Sequence, residues 1–231
     1  MKTLGIVAFT GAESTIEYYR HTLAQFRAHD PHGSLPAFLM NCIDVNRVLQ
    51  FTGEGRLPEL AEWLAYAVNQ LAAGGAQVAI LASNTPHVVF DEVQRLASIP
   101  VISIVEETAK VAARMKVKRL GLFGTRWTMQ GQFYADVLGR HDVERVLPRE
   151  DELDYVHEKY TTELLNNRFL PETRTGLLAI ARRMKKEEGI QALALAGTEL
   201  SLILQQQHIP ELPLLDTMQI QVEAAVRAAL A

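Results

Sequence analysis

Two short stretches gather side chains that can hold or move protons: Ser83-Asn84-Thr85-Pro86-His87 and Gly197-Thr198-Glu199. Hydroxyls and an amide give directional hydrogen bonds to a small anion. An imidazole titrates near neutrality, and a carboxylate can accept or return a proton. Each stretch follows an apolar run of strand length, residues 78–82 and 192–196, and leads into a helical pattern. Two further junctions share this layout: Thr10-Gly11-Ala12-Glu13 after residues 4–8, and Gly124-Thr125-Arg126 after residues 119–123. Helix starts carry unpaired N–H groups and partial positive charge, so small polar residues there suit a carboxylate or phosphate. Thr85, Thr125 or Thr128, and Thr198 also read as ordinary helix caps, with Pro86 in the favoured first turn. For any single junction that capping reading carries more weight.

The elements that must position these residues alternate along the chain. Apolar runs at 4–8, 37–42, 78–82 and 101–104 read as buried parallel strands. Between them, Ile16, Tyr19, Leu23 and Phe26 share one helical face, and Leu57, Leu60, Leu64, Val68 and Leu71 share another. The alternation restarts after residue 116, with strands at 119–123, 143–147 and 192–196 and one more at 212–216. An amphipathic helix over 218–230 ends the sequence. This predicts an α/β fold of two domains, 1–116 and 117–211, with 212–231 returning to the first. In open parallel sheets ligands bind beyond the carboxyl ends of the strands, where the four polar junctions fall.

With 48% apolar residues in 231, the chain can build one large core or two modest ones. Its formal charge of -4 is spread without acidic or basic blocks, so neither a nucleic acid nor a membrane is expected as partner. Cys42 is the only cysteine, which excludes an intrachain disulfide and a cysteine-based zinc site and points to a reducing, cytoplasmic compartment. No phosphate-binding glycine loop, dinucleotide fingerprint or nucleophile elbow occurs, and Thr161 stands where a metalloprotease helix beginning at His157-Glu158 needs its second histidine. No cofactor and no metal are expected.

Taken together, the motifs resemble the aspartate/glutamate racemase family of cofactor-independent amino-acid racemases. Ser83-Asn84-Thr85-Pro86-His87 is similar to its Cys-Asn-Thr-x-His motif. Gly197-Thr198-Glu199-Leu200 is similar to its Gly-Cys-Thr-Glu-Leu motif, with Gly197 standing at the cysteine. Further matches run through Glu13-Ser14-Thr15-Ile16, Tyr18-Tyr19, Gly124-Thr125-Arg126, Thr128-Met129, Phe133-Tyr134 and Leu215-Asp216-Thr217, nearly the whole chain. The resemblance implies two pseudo-symmetric domains, each with a parallel-rich sheet flanked by helices, and a ligand cleft between them. It also implies a homodimer and proton exchange at the α-carbon by two cysteines on opposite faces. The family's glycine-rich first loop is replaced by residues 8–12, with Phe9 expected to make the pocket smaller or less polar.

By position, Ser83 and Gly197 replace both cysteines, and this departure governs the functional reading. A thiol near its reference pKa of about 8.5 can remove an α-proton and give it back, whereas an unassisted serine hydroxyl cannot and glycine has no side chain to try. Glu199 and His87 are the remaining candidates for proton transfer. Thr10, Asn84, Thr85, Thr125, Arg126, Tyr134 and Thr198 are expected to bind the ligand, a small carboxylate or amino acid. Asp44, Asn46 and Arg47 could reach a second carboxylate. Cys42 is expected to be a small packed strand residue. An isomerase with altered α-carbon chemistry, a decarboxylase or cis–trans isomerase of the same superfamily, and a non-catalytic amino-acid-binding protein all stay open.

Overall fold

The computed structural model describes residues 1–10, 13–30, 33 and 35–231, which form two compact units. Unit 1 comprises Met1–Ile104 and Met218–Ala231, and unit 2 comprises Val105–Thr217. In unit 1 the strands are β1 (Leu4–Thr10), β2 (Phe38–Asp44), β3 (Val78–Leu81) and β4 (Val101–Ile102). All are parallel, in the order β2-β1-β3-β4. Unit 2 repeats the arrangement with β5 (Arg119–Gly124), β6 (Glu144–Val146), β7 (Ala192–Ala196) and β8 (Leu214–Asp216), in the order β6-β5-β7-β8.

The unbroken apolar runs form these strands because helices cover both faces of the sheet. Along β1, Leu4, Ile6 and Ala8 pack on Tyr18, Phe26, Val222 and Val226, while Val7 and Phe9 pack on Phe51, Leu60, Leu64 and Val68. That alternation is the two-residue period of a strand. The Phe9 side chain belongs to this core. In unit 2, Phe123, Leu193 and Leu195 meet Leu153, Val156 and Leu177 from the helices Glu150–Thr162 and Pro171–Arg183.

Helix Leu57–Ala73 buries Leu60, Leu64, Val68 and Leu71, the face its apolar spacing predicts. Helix Ser14–His29 turns differently: it buries Ser14, Tyr18, Thr22 and Phe26, leaving Ile16 at 46% and Tyr19 at 48% exposure. The buried hydrogen bond from the Tyr18 hydroxyl to Gln221 Oε1, 2.8 Å, sets this rotation over the apolar stripe. Cys42 is exposed, on the edge strand β2, contrary to the packed position expected of it.

The sequence reading sent residues 212–231 to the first domain, but the structure divides this segment. Leu214–Asp216 pairs with β7 inside unit 2, where Leu193 N–H donates to Pro213 O at 2.9 Å. Only from Met218 does the chain join unit 1, through Met218, Val222, Ala225 and Val226. Likewise β4 stops at Ile102, because the helix Ile104–Arg114 begins two residues later. Among the described residues no helix is long and apolar enough to cross a membrane.

Candidate functional site

The unit 1 candidate is the turn that follows β3. Ser83 N–H donates to Leu81 O at 2.8 Å and His87 N–H to Asn84 O at 3.0 Å, curling the chain into a short 3-10 turn, Thr85–Val89. Pro86 fits because the first helical turn needs no donor from it. Asn84, Thr85 and His87 are buried, and Ser83 is half-buried.

His87 is tied at both ring nitrogens. Nδ1 lies 3.0 Å from the Ser83 carbonyl oxygen, and Nε2 lies 3.2 Å from the Ile104 backbone N–H. A carbonyl can only accept and an N–H can only donate, so the ring is the neutral Nδ1–H tautomer. Burial lowers its pKa from 6.5 to about 4, against the bonds to the Ser83 and Asn84 backbone. The ring also stacks on Phe90, centroids 5.1 Å apart and planes within 5°. His87 is therefore a strut between the end of β3 and Ile104, just past the end of β4. It faces the carbonyl of Ser83 and not its hydroxyl, so it gives that hydroxyl no base.

At the end of β1, Thr10 is exposed, and Gly11 and Ala12 of that junction lie outside the described residues. Thr15 fixes the strand end: its hydroxyl donates to Phe9 O at 2.8 Å and accepts from Phe9 N at 3.2 Å. After β2, Asp44 caps the helix Val45–Gly53 by accepting from Asn46 N at 2.9 Å. Arg47 lies over the rings of Phe51 and Trp63, at 5.2 and 5.0 Å.

Unit 2 supplies two junctions. A Cβ on Gly124 would stand 2.6 Å from Ala196 O, so the close approach of β5 and β7 requires glycine there. Thr125 is then the N-cap of helix Arg126–Gln130, accepting from Thr128 N at 3.2 Å; its capping role is a fact of the structure. Arg126 pairs with Glu150 at 3.2 Å and with Asp154, and its backbone N–H meets His157 Nδ1 at 3.2 Å. Its guanidinium is thus engaged by two carboxylates. Tyr134 is fully buried, and burial pushes its hydroxyl upward against a hydrogen bond with Thr108.

At the end of β7, Gly197, Thr198 and Glu199 are all buried. Glu199 Oε2 accepts from Thr198 Oγ1 at 3.0 Å and from the hydroxyl of Tyr160, a residue of helix Glu150–Thr162. Burial, and next the charge of Glu199, raise the Tyr160 hydroxyl well above the ordinary tyrosine range. Reading strand ends did not find Tyr160. The available signal was a glycine where a strand meets a Thr-Glu pair, which asks what large group fills the space.

A family model described as Asp/Glu/Hydantoin racemase matches residues 7–225. A glutamate racemase from Exiguobacterium sibiricum is 32% identical over 85 residues, which is 36% of this chain and 31% of that relative, so the match spans about a third of the relative's length. Among solved structures, a Yersinia pestis protein provisionally named an Asp/Glu racemase is 27% identical, with TM-score 0.87 over 100% of both chains. An aspartate racemase homologue from Pyrococcus horikoshii OT3 is also 27% identical over 100% of both, with TM-score 0.83. A glutamate racemase from Francisella tularensis, in complex with D-glutamate, shares the fold at TM-score 0.68 and 16% identity, over 99% of this chain and 81% of that one.

Proposed function

The chain belongs to the Asp/Glu/Hydantoin racemase family, and on that premise we propose that it takes a small amino acid or related carboxylate at its buried polar strand ends, with α-carbon chemistry that differs from a two-thiol exchange. The observation that carries this reading is the burial of Asn84, Thr85, Thr125, Thr198 and Glu199 at the carboxyl ends of β3, β5 and β7. Buried hydroxyls, amides and backbone N–H groups at strand ends are what a carboxylate ligand needs when bulk charge does not draw it in.

Racemisation needs a group to remove the α-proton on one face and another to return it on the opposite face. Here the family's two thiol positions are Ser83 and Gly197, and the one cysteine, Cys42, is exposed on an edge strand. His87 holds the loop as a neutral strut, which leaves Glu199 as the carboxylate nearest to a proton-transfer role. An isomerase or lyase working from one side fits these residues. A second reading, an amino-acid-binding protein without turnover, is favoured by the same two observations: a committed His87 and a side-chain-free residue 197.

Proton NMR in deuterium oxide separates the two. Both enantiomers of aspartate and glutamate are the first compounds to try, since the Francisella fold relative holds D-glutamate. Loss of the α-proton signal at a rate proportional to protein supports the enzyme. Saturable binding by calorimetry without exchange supports the receptor. Neither exchange nor heat with any of the four compounds defeats the amino-acid reading.

A further inference from the structure

We propose that Tyr160 is a specificity-determining residue, its ring occupying the place of a side chain at residue 197 and its hydroxyl, held on Glu199, being the polar group offered there instead. This rests on the reading of residue 197 as the family's second proton-transfer position.

The argument begins with the backbone of Gly197. Its φ is not among the positive values found at Gly55, Gly75 and Gly189, so no left-handed conformation demands glycine. The demand comes from Tyr160. A Cβ on residue 197 would stand 2.4 Å from Tyr160 Cε2, 2.9 Å from Cζ and 3.1 Å from Cδ2. Favourable carbon–carbon contact lies at about 3.5 to 4.0 Å, so even alanine is excluded while the ring stays.

The ring is held in place. It is part of the unit 2 core with Phe123, Met129, Val156 and Leu200, and its hydroxyl donates to buried Glu199. Moving it aside would cost core packing and remove a donor from a buried carboxylate. The atoms facing residue 197 include Cζ, which bears the hydroxyl, so the tyrosine puts its polar end where a residue-197 side chain would project. Burial and the Glu199 charge keep the proton on that oxygen at neutral pH. The phenol's one proton goes to Glu199, so this strand end removes no proton through Tyr160 and presents the phenol oxygen as a hydrogen-bond acceptor. The ligand it suits presents a hydrogen-bond donor there, and its α-carbon is worked on from one face.

The test uses the full chain in a Cys42→Ser background, so that an introduced thiol is the only one. Gly197→Cys should lower the folding equilibrium constant at least about tenfold, the usual scale of overpacking in a filled core. Added to Tyr160→Ala, the same change should cost at least about tenfold less than it does alone, the coupling expected of two groups competing for one space. Gly197→Ala with Tyr160→Phe provides a milder pair: the ring remains, so alanine should still be rejected.

Gly197→Cys as stable as its parent, or effects that multiply without coupling, overturn the proposal. A functional arm adds Ser83→Cys. Racemisation should appear with Ser83→Cys, Gly197→Cys and Tyr160→Ala together; if it appears with Tyr160 intact, the proposal is overturned. Strong coupling with no exchange in any variant supports the Tyr160 assignment and counts against the amino-acid reading of the site.

Discussion

His87 Nδ1 reaches the carbonyl oxygen of Ser83 at 3.0 Å while its Nε2 accepts from Ile104 N–H at 3.2 Å, so one buried ring joins the end of β3 to Ile104, just past the end of β4. The residue that a motif reading offers for proton transfer instead positions the loop that carries Ser83. Protonating the ring would leave Nε2 facing an N–H donor and put a charge in a buried place, which is why its pKa falls to about 4.

This makes a pH prediction. His87 binds its proton near 6.5 in the unfolded chain and near 4 in the folded one. The stabilisation is complete above pH 6.5 and is lost as the pH falls towards 4, because only the unfolded state takes up a proton across that window. The loss approaches the order of 3 kcal/mol. Urea unfolding at a series of pH values should show it, and His87→Gln should flatten that part of the profile while lowering stability at neutral pH. A profile in His87→Gln as steep as in the parent sinks the assignment.

The Tyr160–Glu199 pair gives a spectroscopic prediction. Burial and then the Glu199 charge hold the phenol well above its ordinary range, so Glu199→Gln should lower its ionisation pH. Difference absorption of tyrosinate on alkaline titration would report one tyrosine moving down relative to the parent. Tyr160→Phe should abolish that moving tyrosine. It should also cost about 1 to 3 kcal/mol, because the buried carboxylate loses a donor. An unchanged titration in Glu199→Gln would show that the two groups do not interact in solution.

Much of the fold was legible in the apolar runs, because a parallel strand covered on both faces cannot hide its composition: residues 192–196 are strand from first to last. The rotation of helix Ser14–His29 was not legible, since it is fixed by a bond from Tyr18 to Gln221, 203 positions away. The division of the last segment, with β8 in unit 2 and the following helix in unit 1, depends on which strand edge accepts Leu214, and periodicity carries no such information. The strand-end rule singled out Asn84, Thr85, Thr125, Thr198 and Glu199, all of which are buried at the ends of β3, β5 and β7. Tyr160 escaped because it comes from a helix and acts through the space that Gly197 leaves.

Thr125 tests how far a cap explains a polar strand end. Its hydroxyl accepts from Thr128 N at 3.2 Å at the head of a five-residue helix. Thr125→Ala should cost about 1 kcal/mol and Thr125→Ser much less, the ordinary pattern for an N-cap. If Thr125 also binds ligand, the alanine variant should lose affinity for aspartate or glutamate beyond what its stability explains, measured by calorimetry well below its melting temperature. Equal affinity in both variants would leave Thr125 a cap alone.

Gln221 lies in the C-terminal helix, yet it completes the carboxyl ends of two strands. Its Nε2 donates to Leu81 O at 3.2 Å and Ile102 O at 3.1 Å, and its Oε1 accepts from the Tyr18 hydroxyl at 2.8 Å, all with the side chain fully buried. Gln221→Leu keeps a similar bulk but removes a donor from each of the Leu81 and Ile102 carbonyls and the acceptor from the Tyr18 hydroxyl, so the cost should be about 2 to 4 kcal/mol, more than one ordinary hydrogen bond. Tyr18→Phe removes only the hydroxyl and should cost about 1 kcal/mol by itself. In the Gln221→Leu background the same change should cost nothing or restore some stability, because the phenol there no longer has its acceptor. Urea unfolding of the four-protein cycle measures this, and simple additivity would mean that the terminal helix does not set the face on which Ser14–His29 packs. The carbonyl of Leu81 also accepts from Ser83 N–H at 2.8 Å. Losing Gln221 should therefore speed amide exchange in residues 82–85 more than elsewhere in unit 1, coupling a distant helix to the candidate ligand loop.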